Sequence, residues 1–446
     1  MPTYHIITIG CQMNISDSER LASRLEQAGF KKTDNKYGAD LVIINTCGVR
    51  QSAENRIYGL IPGIKKENRK AKIILTGCLS ERKDVRRRLK KYVDAWLPVK
   101  EILNFKFKIL NYQRRGNDNF GNQDYLSIQP KHDSNFSAYV PIGNGCDNFC
   151  VYCVVPYARG REVYRSAQEI LAEVRGLVKR GYKEVVLIAQ NVNSYKSPIP
   201  PSPPLSRGGD FADLLKTIND IPGDFWIRFL SSHPKDMSDK LIKAVASCEK
   251  ACPQIYLPVQ AGDNLVLKRM NRQYTRADYI KLVKKIRKQL NLPSSPFIKG
   301  VIWKPPVSIT TDIIVGFPSE TRKQFNNSVK LFRQVGFDMA YISEYSPRPG
   351  TAAFKLVDNV SPAEKTRRKN QLDKILRQTA LANNKKYIGK TVRVLMENQT
   401  KVGKWFGKTA TGKDIRFSAK SSICRAGNFV KVKVTGAKEF CLAGKV

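Results

Sequence analysis

Three short runs of this chain are built alike: YHIITIGC ends at Cys11, DLVIINTC at Cys47 and AKIILTGC at Cys78. Each is rich in Ile and Val and closes with a small or polar residue before the cysteine, the pattern of a strand buried on both faces of a parallel sheet. Helical stretches around Ser18 to Ala28 and Glu54 to Asn68 separate the runs, which gives a βαβαβ order. Parallel strands of one sheet bring their C-terminal ends to a single edge, where open α/β sheets bind ligands. Cys11, Cys47 and Cys78 are therefore expected to converge. A free cysteine is often only a small buried hydrophobe, but three repeats of one strand-end placement favour a shared ligand such as an iron–sulfur cluster.

A second trio is closer together. GCDNFCVYC places Cys146, Cys150 and Cys153 at the spacing C-x3-C-x2-C, after the strand-like YVPIGNG. Three thiolates on a four-iron cluster leave one iron without a protein ligand and open to a small molecule. A structural zinc site would need a fourth Cys or His nearby. None is close, because the chain has only His5, His132 and His233. Cys248 and Cys252 lie four apart without an evident third ligand, and Cys424 and Cys441 read as packing in the tail.

Lys and Arg outnumber Asp and Glu by 78 to 38, a formal charge of +40. A polyanion, nucleic acid first, is the partner such a surplus fits, since neutralising phosphates releases counterions. A generally solvated basic surface is the plainer alternative. Ten cysteines in 446 residues are too sparse for a disulfide scaffold and suit metal binding in a reducing compartment. Residues 1–10 lack the pattern of a secretory leader, and no run of apolar residues is long enough to span a bilayer, so a cytoplasmic location is expected.

Past residue 110, the stretch NYQRRGNDNFGNQD has linker composition. Six strand-like runs then alternate with helices: SAYVPIGNG, EVVLIAQN, FWIRFLSS, QIYLPVQ, SITTDIIVGF and MAYISEYS. That alternation predicts an open or partial β/α barrel, with chemistry at the strand C-termini. KSPIPPSPPLSRGGD and NLPSSPFIKGVIWKPP read as proline-rich insertions. A basic helix over Lys365–Lys386 leads to residues 387–446, which carry 13 Lys and Arg against 3 Asp and Glu. Short strands with turn glycines predict a small β-barrel there, a form that often binds single-stranded nucleic acid. Trp405 and Phe406, between Lys404 and Lys408, offer stacking faces for RNA or simply fill the barrel.

Taken together, GCQMNISDSE, NTCGVR, GCDNFCVYCVVPYARGRE, QNVNSY, SSHPKD, LPVQAGD, DIIVGFPSET and YSPRPGT make the chain resemble the radical S-adenosylmethionine methylthiotransferases over nearly its whole length. GCDNFCVYCVVPYARGRE favours the branch acting on dimethylallyladenosine in tRNA over those acting on threonylcarbamoyladenosine or on a ribosomal-protein aspartate. The expected fold class is α/β, in three parts: an N-terminal βαβ open-sheet domain over 1–118, a central partial (β/α)6 radical-SAM barrel over 132–384, and a C-terminal small antiparallel TRAM-like β-barrel over 387–446. The chain departs from the family pattern at GVRQSAENR, in its two insertions, and at Ser319, where the family usually has glycine.

The resemblance implies that Cys146, Cys150 and Cys153 hold a 4Fe–4S cluster whose open iron takes S-adenosylmethionine, and that Cys11, Cys47 and Cys78 hold a second 4Fe–4S cluster supplying sulfur. Cleavage of S-adenosylmethionine then gives the radical that attacks C2 of the target adenine. Tyr152, Gln190 and Gln260 are the expected contacts to the nucleoside, and Arg159 and Arg161 to the S-adenosylmethionine carboxylate or an RNA phosphate. The expected partners are a tRNA anticodon stem-loop and an electron donor such as a flavodoxin or ferredoxin, with the chain a monomer. From another class, a non-catalytic RNA-binding iron–sulfur protein would share the basic tail, but its metal site should be closed.

Overall fold

The computed structural model describes residues 1–49, 51–102, 125–198, 209–291, 303, 305–400, 403–419 and 425–446. The expected linker at 111–124, most of both proline-rich insertions and Cys424 lie outside the described residues. Packing divides the chain into two units: residues 1–133, 143–163 and 346–355 form the first, and residues 134–142, 164–345 and 356–446 the second.

The first unit is built on β1 (Thr3–Ile9), α1 (Gln12–Gln27), β2 (Lys31–Lys32), β3 (Leu41–Thr46), α2 (Gln51–Glu67), β4 (Lys72–Gly77), α3 (Lys83–Leu89) and β5 (Ala95–Leu97). Its sheet runs β2-β1-β3-β4-β5, every neighbouring pair parallel. Alternate residues of one strand serve opposite faces. Leu41 and Ile43 pack with Leu21 and Leu25 of α1, whereas Val42 and Ile44 pack with Ile57, Ile61 and Ile64 of α2. At about 1.5–3 kcal/mol for each large apolar side chain buried, this two-sided burial is what the unbroken Ile/Val runs encode. Arg348 donates to Gln51 Oε1 (2.6 Å), Glu54 Oε2 (3.3 Å) and the Val49 carbonyl (3.1 Å), tying residues 346–355 to α2.

The second unit opens with β6 (Ser137–Pro141); the cysteine loop, with β7 (Gly143–Asn144), α4 (Val155–Arg159) and β8 (Val163–Tyr164), then intervenes. Next come α5 (Ala167–Lys179), β9 (Glu184–Ile188), α6 (Phe211–Asn219), β10 (Trp226–Phe229), α7 (Asp239–Ser247), β11 (Gln254–Tyr256), α8 (Asn264–Arg269), α9 (Arg276–Leu290), β12 (Ser308–Val315), α10 (Arg322–Val335), β13 (Met339–Glu344) and α11 (Pro362–Lys385). The strands form parallel sheets β6-β9-β10 and β11-β12-β13, joined by a parallel bridge between Ile227 and Ala251. This is the six-stranded open barrel expected, with all six strands where the sequence placed them. The basic helix α11 is anchored from inside: Lys365 donates to Asp358, and Arg368 pairs with Glu320 at 2.7 Å.

Residues 391–445 form β14 (Thr391–Gln399), β15 (Trp405–Thr409), β16 (Asp414–Ser418), β17 (Phe429–Ala437) and β18 (Leu442–Lys445), closed in the order β14-β15-β16-β18-β17. Four neighbouring pairs are antiparallel and one, β16 with β18, is parallel. This corrects the expectation of a purely antiparallel barrel. Five is odd, so up and down strands cannot alternate around a closed ring without one like-directed pair. The barrel is docked onto the open sheet by Arg228 of β10, which donates to the carbonyls of Thr409 (2.8 Å) and Ala410 (2.9 Å), to Gln254 Oε1 (2.8 Å) and to Glu184 Oε1 (2.6 Å).

Candidate functional site

In the first unit the sheet register places three cysteines side by side. Ile9 lies opposite Thr46, and Thr46 opposite Gly77. The amide of Cys47 donates to the Ile9 carbonyl and that of Cys78 to the Thr46 carbonyl, both at 2.8 Å. Cys11 caps the start of α1, its amide held by Asn14 Oδ1 at 3.2 Å. Gly77 has φ +87°, and a Cβ there would lie 2.3 Å from the Thr46 carbonyl oxygen, so the turn into Cys78 requires glycine. Behind the row, buried Asn14 and Asn45 clasp each other: Asn14 Nδ2 donates to Asn45 Oδ1 at 2.9 Å, and Asn45 Nδ2 to the Asn14 carbonyl at 2.8 Å.

The other trio occupies the loop before α4. Gly145 has φ +84°, and a Cβ there would meet the Arg161 carbonyl oxygen at 2.0 Å, so the loop doubles back tightly against residues 160–161. The amide of Cys146 donates to the Gly160 carbonyl (3.1 Å) and that of Cys153 to the Cys150 carbonyl (2.9 Å). Both trios belong to the same unit. A methyl group added at Gly48, next to Cys47, would come within 3.1 Å of Cys78 Cβ and 3.2 Å of Val154 Cγ2, the residue after Cys153. The fold thus brings the two cysteine sets to one neighbourhood.

Arg159, at the end of α4, lies in the interior of this unit. It pairs with Asp17 Oδ2 at 2.6 Å, with both side chains 1% exposed, and donates to Asn144 Oδ1 at 3.1 Å. Asp17 carried no sequence signal beyond its place on the buried face of α1. Arg161 is exposed and forks onto Asp147 (2.6 and 3.1 Å). Tyr152 is half-buried within the loop.

The thiols fit iron–sulfur ligation better than nucleophilic work. Burial pushes Cys153 up, helped by the neighbouring Cys150, and burial likewise raises Cys146 against a hydrogen bond from Asn148. Cys11 is open to solvent yet ringed by protein, and this desolvation raises its thiol while the charge of Arg159 pulls it down. A nucleophilic cysteine needs the opposite shift, whereas a bound metal removes the thiol proton outright. Donors already face two sulfurs: Asn148 Nδ2 lies 3.4 Å from Cys146 Sγ, and the Val49 amide 3.3 Å from Cys47 Sγ. Among the described residues no three His, Cys, Asp or Glu side chains converge tightly enough for one metal ion. A single zinc needs its ligands gathered on one point, while a four-iron cluster spreads its thiolates apart.

In the second unit, polar groups gather past the strand ends. Gln190 and Asn191 follow β9, Ser231 and Ser232 follow β10, and Gln260 follows β11 and bridges to Ile313 of β12. Ser231 (φ +67°) and Gln260 (φ +69°) are left-handed, which costs a residue with a side chain about 1–2 kcal/mol and aims it out of the strand line. Gln190 Oε1, Asn191 Oδ1 and Ser232 Oγ are buried without hydrogen-bond partners, acceptor capacity that a ligand could use. Asn191 lies in QNVNSY and Ser232 and His233 in SSHPKD, strings that give no individual residue a role in the sequence. Cys248 and Cys252 are buried, Cys252 packing with Trp226, Leu395 and Ala410. In the C-terminal barrel Trp405 packs against the core, Lys408 pairs with Asp414 at 2.7 Å and lies 5.4 Å from the Phe406 ring centroid, and Lys404 is exposed.

Residues 3–97 match an uncharacterized protein family, UPF0004, residues 140–332 the radical SAM superfamily, and residues 385–446 the TRAM domain. A tRNA-2-methylthio-N(6)-dimethylallyladenosine synthase of Clostridium botulinum is 39% identical over 462 residues, covering 99% of this chain and 96% of its own length. A relative of the same name from Thermoanaerobacter pseudethanolicus is 39% identical over 456 residues, covering 99% and 92%. Among solved structures, the radical S-adenosylmethionine methyltransferase TsrM from Kitasatospora setae shares the fold, with a TM-score of 0.53 at 14% identity over 79% of this chain and 77% of that one. No helix among the described residues is long and apolar enough to cross a membrane. With the strand-end cysteines, the cysteine loop of the open barrel and the closed five-stranded tail all in place, the chain belongs to the family of the tRNA-2-methylthio-N(6)-dimethylallyladenosine synthases.

Proposed function

We propose that this chain transfers a methylthio group to C2 of N6-dimethylallyladenosine at position 37 of tRNA. The observation that carries the reading is the convergence of two cysteine trios within one unit of a chain of this family. Cys146, Cys150 and Cys153 would hold the 4Fe–4S cluster that takes S-adenosylmethionine, and Cys11, Cys47 and Cys78 a second 4Fe–4S cluster. When bound, these groups supply reductive cleavage of S-adenosylmethionine and the sulfur that is inserted.

The chain's own residues bind and orient. Gln190 Oε1, lacking a partner, is suited to accept from an amine of S-adenosylmethionine or of the nucleoside, and Gln260 presents a second polar side chain from its left-handed strand end. Tyr152 offers a face between two ligands of one cluster. Arg159 is committed to Asp17, so we assign it to positioning the cysteine loop on α1 rather than to touching substrate. Arg161, with its exposed guanidinium, remains available to a carboxylate or phosphate at the cost of its fork onto Asp147. The barrel over residues 387–446 would bind the anticodon stem-loop, Lys404 and Phe406 being its outward candidates.

Two measurements test the proposal. Anaerobic reconstitution should give about eight irons per chain in the wild type and about four in the Cys11→Ala/Cys47→Ala/Cys78→Ala variant, as two four-iron clusters require. Incubation with dimethylallylated tRNA, S-adenosylmethionine and a reductant should then yield the 2-methylthio nucleoside by mass spectrometry. Four irons in both proteins, or a product only from threonylcarbamoyladenosine, would overturn it.

A further inference from the structure

We infer that the N-terminal unit carries its own RNA-contacting surface, in which Lys83 and Arg87 of α3 meet the phosphates and Tyr157 and Phe149 stack the bases of the single-stranded loop next to the target nucleoside. The inference rests on the tRNA reading above and locates a contact apart from the C-terminal barrel. A cavity of about 600 Å³ opens in this unit, with Cys78 in its wall and Lys83, Arg87 and Tyr157 around it. The segment from Lys83 to Leu89 reads KDVRRRL, and its three consecutive arginines are not used alike. Arg86 lies 5.5 Å from the Trp96 ring centroid and donates to the Ser80 carbonyl, and Arg88 lies 3.7 Å from the Tyr58 ring centroid. Arg87 and Lys83, one helical turn apart, are exposed and have no hydrogen-bond or ion-pair partner among the described residues. Tyr157 lines the same cavity and is 58% exposed; Phe149, 39% exposed and with the Arg161 guanidinium 5.6 Å from its ring centroid, meets Tyr157 edge to face with centroids 6.3 Å apart.

Large exposed aromatic rings next to unpaired cations are poor packing and good RNA chemistry: bases stack on the rings while the cations neutralise the backbone. An acidic protein, such as an electron donor, would also suit Lys83 and Arg87. It would have no use for an exposed Tyr157 ring in the wall of a recess that reaches Cys78, with the Phe149 ring edge-on to it. A flipped nucleoside leaves its unstacked neighbours at the rim of the site, and Tyr157 lines the same recess as Cys78.

The test uses the full-length reconstituted enzyme and a labelled anticodon stem-loop containing dimethylallyladenosine, with affinity measured over a series of salt concentrations. Lys83→Ala/Arg87→Ala should lower the slope of log affinity against log salt by about 1.4, two single-strand phosphate contacts at about 0.7 each. Tyr157→Ala should weaken binding about five- to a hundredfold, and Tyr157→Phe should restore most of it. Iron content and circular dichroism equal to wild type certify the fold of each variant. An unchanged slope and affinity in the double variant overturn the inference even where the wild type methylthiolates tRNA. If instead the double variant binds RNA normally but loses flavodoxin-driven turnover while keeping dithionite-driven turnover, the surface is a protein-docking site and the inference falls. A wild type that binds the stem-loop yet yields no 2-methylthio product defeats the catalytic reading alone.

Discussion

The sharpest consequence of the fold concerns Arg228, which, with the Lys413–Asp338 pair, joins the C-terminal barrel to the open-barrel strands. Its guanidinium is 7% exposed and makes four hydrogen bonds of 2.6–2.9 Å, two of them to the carbonyls of Thr409 and Ala410 at the turn between β15 and β16. Arg228→Met keeps the aliphatic stem but removes every donor. Glu184 then retains only the hydroxyl of Ser137 at 2.7 Å, and Gln254 Oε1 and two main-chain carbonyls face the gap. Removing one partner of a buried ion pair costs about 3–5 kcal/mol, and each carbonyl left dry costs about 1–3 kcal/mol. Protonation of Glu184 and entry of water keep the total near the lower figure, about 3–5 kcal/mol. Hydrogen exchange reads this locally. The amides of Thr409 and Gly412, bonded within the turn, should exchange roughly two to three orders of magnitude faster, at about 1.4 kcal/mol per tenfold. Arg228→Lys should rescue little, because one ammonium cannot span the fork. Exchange of both amides within threefold of wild type in Arg228→Met would refute the clamp.

Three further outcomes are expected. Arg159→Met should destabilise the iron-free protein by about 3–5 kcal/mol in urea unfolding, since it strands Asp17 in the interior, whereas Arg159→Met/Asp17→Leu should recover most of the loss; equal losses would sink the pair's assignment. Ser319 stands in the left-handed region at φ +61°, so Ser319→Gly should stabilise by about 0.5–1 kcal/mol after the entropy of the freer unfolded chain is deducted; a destabilised variant by thermal melting counts against this. Burial, reinforced by Arg272 and Lys235, pushes His233 down to about 2. It stays neutral in the fold while the unfolded chain takes up a proton below about 6.5. Its contribution is therefore complete above that pH and is lost toward acid at up to about 1.4 kcal/mol per pH unit between the two values. His233→Asn should flatten that limb of the stability profile, and an unaltered slope would refute it.

Features decided within a few residues were legible in the sequence. The Ile/Val runs gave the parallel strands, and β3, buried at all six positions, shows why: each of its residues faces a helix layer. The spacing of Cys146, Cys150 and Cys153 likewise pointed to the radical SAM superfamily, which residues 140–332 match. What sequence reading missed depends on partners far along the chain. Arg159 reads as a ligand contact because nothing near it in the sequence reveals Asp17, 142 residues away. Lys408 reads as an RNA contact because Glu397 and Asp414, which occupy its ammonium, come alongside it only when the barrel closes. The short strands β2, β5 and β18 have too few residues to display a period, and the parallel closure of the barrel follows from counting strands, which requires finding the last one.

The placement of both cysteine trios in one packed unit carries a physical consequence for loading. A protonated thiol packs as a small hydrophobe, so the unit can fold with its cysteines neutral and the sheet edge intact. Burial that raises Cys146 and Cys153 makes thiolates costly in the empty protein, and iron offsets that cost only by displacing the protons. Arg159 is the buried cation whose charge reaches Cys11 and Cys78, and Asp17 already claims it. Arg159 therefore leaves little buried positive charge for Cys11. Negative charge on the sulfurs must be met by the metal, which makes the cysteine neighbourhood a receptor for a cationic cluster rather than a reservoir of reactive thiolate.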